Sequence, residues 1–153
     1  VLCVNGPRMT AGRFTYTTDG AVKDIDTGLV FTRCANGQDE SNDCAGSGVP
    51  TFWSAALQGC ANLSKGGRSW RLPAIHELEV LLASTVYPFI DTGYFPNPPD
   101  PANISGFWTS TTTTNIANEA FKMFEGGFYG TPASYGENSK SGAGPTYRCV
   151  AGP

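Results

Sequence analysis

The chain has 153 residues, a mass of 16.2 kDa and a formal net charge of −3, with 40% hydrophobic but only 15% charged residues; that size fits one domain around one core. In place of charge stand 16 Thr, 11 Ser, 9 Asn, 19 Gly and 11 Pro, a mixture that excludes a long helical bundle, while 18 aromatic residues are too many for a disordered chain. No two of the 10 Lys and Arg residues are adjacent, which argues against nucleic acid as a partner, and no apolar run reaches the ~20 residues of a membrane span.

Residues 1–12 are expected to be an N-terminal extension, or a link to a partner or upstream segment, and residues 13–153 the domain proper. Residues 13–33 read as two or three short antiparallel strands punctuated by Asp19-Gly20 and Thr27-Gly28; Asp-Gly between apolar runs is a two-residue hairpin signal. Asp24 and Asp26 beside Gly28 raise the possibility of a calcium loop. The fragment lacks the later bidentate acid of such a site, so turn chemistry is the preferred reading and no cofactor is expected. Cys34 and Cys44 bracket a polar loop that cannot fold by burial, and a disulfide across its base is preferred over a metal site. No C-x₂₋₄-C pair occurs, and His76 is remote in sequence.

Trp53, Ala56, Leu57, Cys60 and Leu63 lie at helical spacing over residues 51–64, with Thr51 as N-cap and Gly66-Gly67 beyond the end. A second helix is expected from Pro73, burying Ile75, Leu78, Leu81 and Leu82 and leaving His76 in solvent. Residues 85–106 carry scattered prolines and read as a long irregular connection. Strands are expected at Phe107–Thr114 and Glu119–Phe124, a turn at Gly126-Gly127, a further β-prone stretch at Phe128-Tyr129, a polar loop over residues 131–144, and a last strand around Cys149. Cys60 and Cys149 read either as buried thiols or as partners. Cys3 is left over, as a free thiol or an intermolecular link, and this cysteine usage points to export. Two helices among many short strands make the fold class α+β.

The run Gly67-Arg68-Ser69-Trp70-Arg71-Leu72-Pro73, continued by His76-Glu77-Leu78, resembles the WRLP-x-x-x-EL signature of the Lcl C-terminal domain-like family, named for a collagen-like adhesin. Asp19 to Phe31, Trp53 to Leu63, Phe107 to Ser110 and Tyr147 to Val150 resemble further landmarks of that family in the same order, so the likeness covers residues 13–150. The resemblance implies a fold related to C-type-lectin-like and formylglycine-generating-enzyme-like domains: a compact mixed sheet, two helices, long irregular loops and disulfide staples. It implies a Cys60–Cys149 bridge, a bridged 34–44 insertion, and a structural role for Trp70, Arg71, Leu72, Pro73 and Glu77, with Arg71 buried against a partner.

The function expected is a secreted or cell-surface, non-enzymatic adhesion module that recognises a glycan or another extracellular polymer through its late loops. Aromatic faces stack on sugar rings while amides and carboxylates bond hydroxyls. The candidate ligand-binding residues are Tyr94, Asn97, Asn103, Asn118, Tyr129, Tyr135, Glu137, Asn138 and Lys140; Trp108 is read as core. The adhesin that names the family binds sulfated polysaccharides, which needs clustered cations, and here only Lys122, Lys140 and Arg148 fall near the late loops. Calcium-sugar triplets of true C-type lectins are missing, as is a nucleophile–His–Asp set. The alternative is a structural subunit or appendage of a surface filament, pilus or fibre that self-associates through residues 1–12 and Cys3.

Overall fold

The computed structural model describes residues 12–82, 90–99, 106–114, 116–123 and 135–152. Cys3 and the expected N-terminal link up to residue 11 lie outside the described residues, as do Asn103, Tyr129 and the Gly126-Gly127 turn. Three short strands open the domain, β1 (Phe14–Tyr16), β2 (Val22–Asp24) and β3 (Val30–Phe31), paired antiparallel in sequence order. The Asp19-Gly20 turn is longer than the two-residue hairpin expected, because Tyr16 faces Val22 across it. Its side chains explain the difference. The Thr17 hydroxyl accepts from Ala21 N at 3.0 Å and donates to Asp19 at 2.6 Å, while Gly20 takes a φ of +77°.

Asp24 is a core residue as well as a turn residue. Its fully buried carboxylate accepts from Arg13 Nε and Nη2, both at 3.0 Å, from the Thr27 hydroxyl at 2.6 Å and from Asp26 N at 3.1 Å. Among the described residues no three His, Cys, Asp or Glu side chains gather closely enough to hold a metal ion.

The remaining elements are α1 (Trp53–Ala61), β4 (Trp70–Arg71), α2 (Ile75–Glu79), β5 (Phe107–Thr112), β6 (Glu119–Met123), β7 (Tyr135–Ser139) and β8 (Val150–Ala151). The strands form a five-stranded sheet, β1-β2-β3-β8-β4, and a three-stranded sheet, β5-β6-β7. Every ladder between these strands is antiparallel, and one parallel bridge, Phe107 to Thr146, adds a contact outside them. The mixed sheet expected is thus two antiparallel sheets in an α+β domain. Strand β8 enters between β3 and β4, so the end of the chain completes the middle of the larger sheet.

Two hydrophobic clusters explain the burial. Val22, Phe31 and Val150 point into one, with Leu78, Leu81, Phe95, Phe107 and Met123; Ala21, Val30, Cys149 and Ala151 point into the other, with Ala56, Cys60, Trp70, Leu72 and Trp108. Neighbouring residues alternate between clusters because strand side chains alternate between faces. The central strands β3 and β8 are therefore buried on both sides, and α1 contributes to one cluster while the segment around α2 contributes to the other.

Both helices are shorter than their patterns. Thr51 does not cap α1; Phe52 holds that position without a side-chain bond, since the backbone of Thr51 is committed to Pro145 O and to the indole of buried Trp108. Pro73 precedes α2 and gives its carbonyl to Ser110 N at 2.8 Å, which fastens the motif to β5. Strand β7 runs through the expected polar loop. Its sequence YGENS has no apolar alternation, and its register against β6 defines it instead.

The Trp70-Arg71-Leu72-Pro73 corner is structural in a way different from that expected of Arg71. Trp70 and Leu72 are buried, but Arg71 is 50% exposed and clasps Glu77 through two bonds of 2.7 and 2.6 Å. Glu77 also accepts from Ala74 N at 2.8 Å, closing the start of α2. The Arg71 bonds, outweighing burial, hold the Glu77 carboxyl below its ordinary pKa. Glu77→Ala removes a cap and a half-exposed ion pair, together about 1–2 kcal/mol. The expected result is a melting temperature lower by about 3–8 °C, measured by circular dichroism; an unchanged transition would mean the corner does not depend on Glu77.

Candidate functional site

Two disulfides shape the surface. Cys34–Cys44 closes the base of the polar loop, and Cys60–Cys149 ties α1 to the residue before β8, the pairing implied by the family likeness. Within the loop, Glu40–Asn42 form a single 3-10 turn capped by Asp39, whose carboxylate accepts from Ser41 N and the Ser41 hydroxyl. Gln38 accepts from Ala35 N and donates to Gly46 O and Asn97 O, while Asn97 Nδ2 donates to Asp43 O at 2.8 Å. The loop is thereby fixed both to itself and to the segment around residue 97.

Between this loop and the β1–β2 turn lies an open groove of about 740 Å³, lined by Tyr16, Asp19, Gly20, Arg33, Glu40 and Ser41. Tyr16 lies on the same face of β1 as buried Phe14, at the end of the strand where the core cluster gives way to solvent, and is 47% exposed, yet it is anchored. Its hydroxyl donates to Gly93 O at 2.7 Å, its ring lies 5.1 Å from that of Tyr94, and the Arg33 guanidinium sits 5.7 Å from its centroid. Three acidic groups along this side are paired with cations, Asp19 with Arg68 at 2.6 Å, Glu40 with Lys65 and Asp43 with Arg33, while Asp39 is satisfied by Ser41. The Thr17 hydroxyl lowers the pKa of Asp19, burial opposes it and Arg68 adds to the lowering, so the turn keeps an ionised carboxylate at the rim. Arg33 Nε is buried and has no hydrogen-bond partner among the described residues.

The sequence-predicted residues separate into two groups. Tyr94 abuts the aromatic wall of the groove, and Asn97, at a φ of +47°, braces the disulfide loop. Asn118, Asn138 and Lys140 gather instead at the open end of the β6–β7 ladder. There Asn118 Nδ2 meets the Ser139 hydroxyl at 3.3 Å, and Lys140 Nζ donates to Ala117 O at 2.7 Å while lying 4.7 Å from the Trp53 ring centroid. Tyr135 and Glu137 sit in β7 opposite Met123 and Phe121. Asn103 and Tyr129 fall outside the described residues.

The three cations near the late loops do not make a basic surface. Arg148 is buried, donating to Thr32 O at 2.7 Å and to Arg33 O beneath the rings of Phe95 and Phe107. Lys122 is half-buried, and burial lowers its pKa. Trp108 is fully buried, as the core reading expects.

The groove residues Tyr16, Asp19, Arg33, Glu40 and Ser41 went unnoticed in sequence. No strand-phase signal marks Tyr16, which shares the phase of buried Phe14; only its place at the end of β1, packed beside the disulfide-closed loop, leaves it exposed. Fold and site together define a disulfide-stapled α+β domain with an aromatic, ion-paired groove and no helix among the described residues long and apolar enough to cross a membrane. A family model, the Lcl C-terminal domain, matches residues 20–151, and the chain belongs to that family. No curated protein and no solved structure matches it.

Proposed function

We propose that this domain is a non-enzymatic binding module of an exported or cell-surface protein, and that it holds a neutral, polyhydroxylated polymer such as a glycan in the groove beside Tyr16. The observation that carries this reading is the groove's make-up: an anchored, half-exposed aromatic ring beside a carboxylate rim, a guanidinium and a hydroxyl. A ring of this kind stacks on the apolar face of a sugar, and planar charged groups bond its hydroxyls. Arg33, Lys65 and Arg68 are each committed to a carboxylate, so no cation surplus faces the groove, which favours a neutral chain over a sulfated one. The placement outside the cytosol is supported by the two disulfides. The non-enzymatic reading is supported by Cys34, Cys44, Cys60 and Cys149 being consumed in bridges and by His76 standing exposed on α2.

A glycan array followed by calorimetry tests the proposal. Neutral oligosaccharides are expected to bind, and Tyr16→Ala to weaken them about tenfold, equivalent to ~1.4 kcal/mol, with a cooperative thermal transition retained at a somewhat lower temperature because the Gly93 and Tyr94 contacts go with the ring. Binding that ignores the Tyr16 change would remove the groove from the account. A chain that polymerises in solution and binds no glycan would favour the filament-subunit alternative.

A further inference from the structure

We infer that the groove continues past the Glu40–Lys65 pair into a second pocket, and that this pocket receives the acetamido group of an N-acetylated sugar. The inference rests on the glycan reading above and adds the identity of the sugar. Glu40 lines both spaces, and its ion pair with Lys65 stands where they adjoin. The inner pocket is smaller and more enclosed, about 170 Å³. That space has room for an acetamido group.

Its walls match the three parts of that group. Leu63, Ala35 and the disulfide cysteines Cys34 and Cys149 supply an apolar surface for the methyl. Tyr147 supplies a hydroxyl with no hydrogen bond to a described residue, a donor for the acetamido carbonyl. Burial raises the Tyr147 pKa and so keeps that proton in place. The Glu40 carboxylate supplies an acceptor for the amide N–H. Lys65 also lines the pocket but is paired with Glu40, so no unpaired cation is offered to a sulfate or carboxylate, and a bare hydroxyl would leave the apolar wall uncovered.

Gly59 of α1 is part of the same device. A Cβ there would stand 2.1 Å from Tyr147 Oη, so the phenol rests on bare helix backbone. Gly59→Ala must displace the ring end from this position.

The test uses the full chain and two pairs of sugars that differ at the acetamido position: β-1,4-linked tetramers of N-acetylglucosamine and of glucose, and methyl glycosides of N-acetylgalactosamine and galactose. In at least one pair the N-acetylated member is expected to bind tenfold or more tightly. Tyr147→Phe and Gly59→Ala are each expected to reduce that preference to within about twofold while leaving the plain sugar's affinity unchanged. Equal binding of both members in each pair would overturn the inference and leave the groove reading standing. A preference that survives both substitutions would also overturn it, and no binding of any sugar here or on the array would take down both proposals.

Discussion

Replacing Cys60 and Cys149 together by alanine is expected to lower stability by about 4–5 kcal/mol, the loop-closure value for a bridge spanning 89 residues. The sulfur link does more than shorten the unfolded chain. Cys149 immediately precedes β8, and β8 is the strand on which β3 and β4 both pair. Losing the link frees the end of the chain to leave the middle of the sheet, and both hydrophobic clusters then lose a wall. Cys34→Ala with Cys44→Ala is expected to cost only about 2–3 kcal/mol, because that bridge closes a span of 10 residues. Its main effect is local, on the loop that supplies Glu40 and Ser41 to the groove. Urea titrations of the two double variants check the ranking; equal midpoints for the native chain and the Cys60/Cys149 variant would refute the argument.

The second large effect is expected at Asp24. With Asp24 at 0% and Arg13 at 6% exposure, Asp24→Ala leaves a guanidinium buried without its main partner, a loss of about 3–5 kcal/mol. Asp26, 3.8 Å from Arg13 Nε and half-exposed, takes up part of the charge and places the result toward the lower end. Burial raises the Asp24 pKa, but hydrogen bonds from Arg13, Thr27 and Asp26 outweigh it and the net shift is downward. A carboxyl whose folded pKa is depressed contributes stability above its unfolded pKa and loses it as pH falls through the folded value. The native chain should therefore weaken in acid below about pH 4, and Asp24→Ala should flatten that part of the profile. Chemical denaturation between neutral pH and pH 2 measures both; a variant that keeps the native acid slope would assign the sensitivity elsewhere.

How far these features could be read beforehand depended on distance along the chain. The 34–44 staple was legible because a loop of Asn, Gln, Asp and Ser has nothing to bury and two cysteines to close it. The tryptophan-arginine-leucine-proline corner was legible through the family likeness, in which Arg71 and Glu77, 6 residues apart, are both motif positions. The burial of Arg71 was misjudged, while the buried arginines, Arg13 and Arg148, sat in stretches that looked ordinary. Arg148 shows why: its acceptors are carbonyls 115 and 116 residues away and its stacking partners are two phenylalanines from separate segments. Strand β7 carries no strand signal in its own residues for a related reason. Backbone bonds to β6, independent of side-chain type, hold it in the sheet.

The amino-acid order by itself determined the domain size, the α+β class, the oxidised loop, the family and the absence of a dense basic face, since each follows from composition or from residues close in sequence. Only the tertiary structure decided which aromatic residue stands over open space and what surrounds it. Tyr16, Arg33 and Glu40 belong to different segments, and an exposed tyrosine in a β-prone run looks the same whether it faces solvent or a groove until β1 and the disulfide loop are packed side by side.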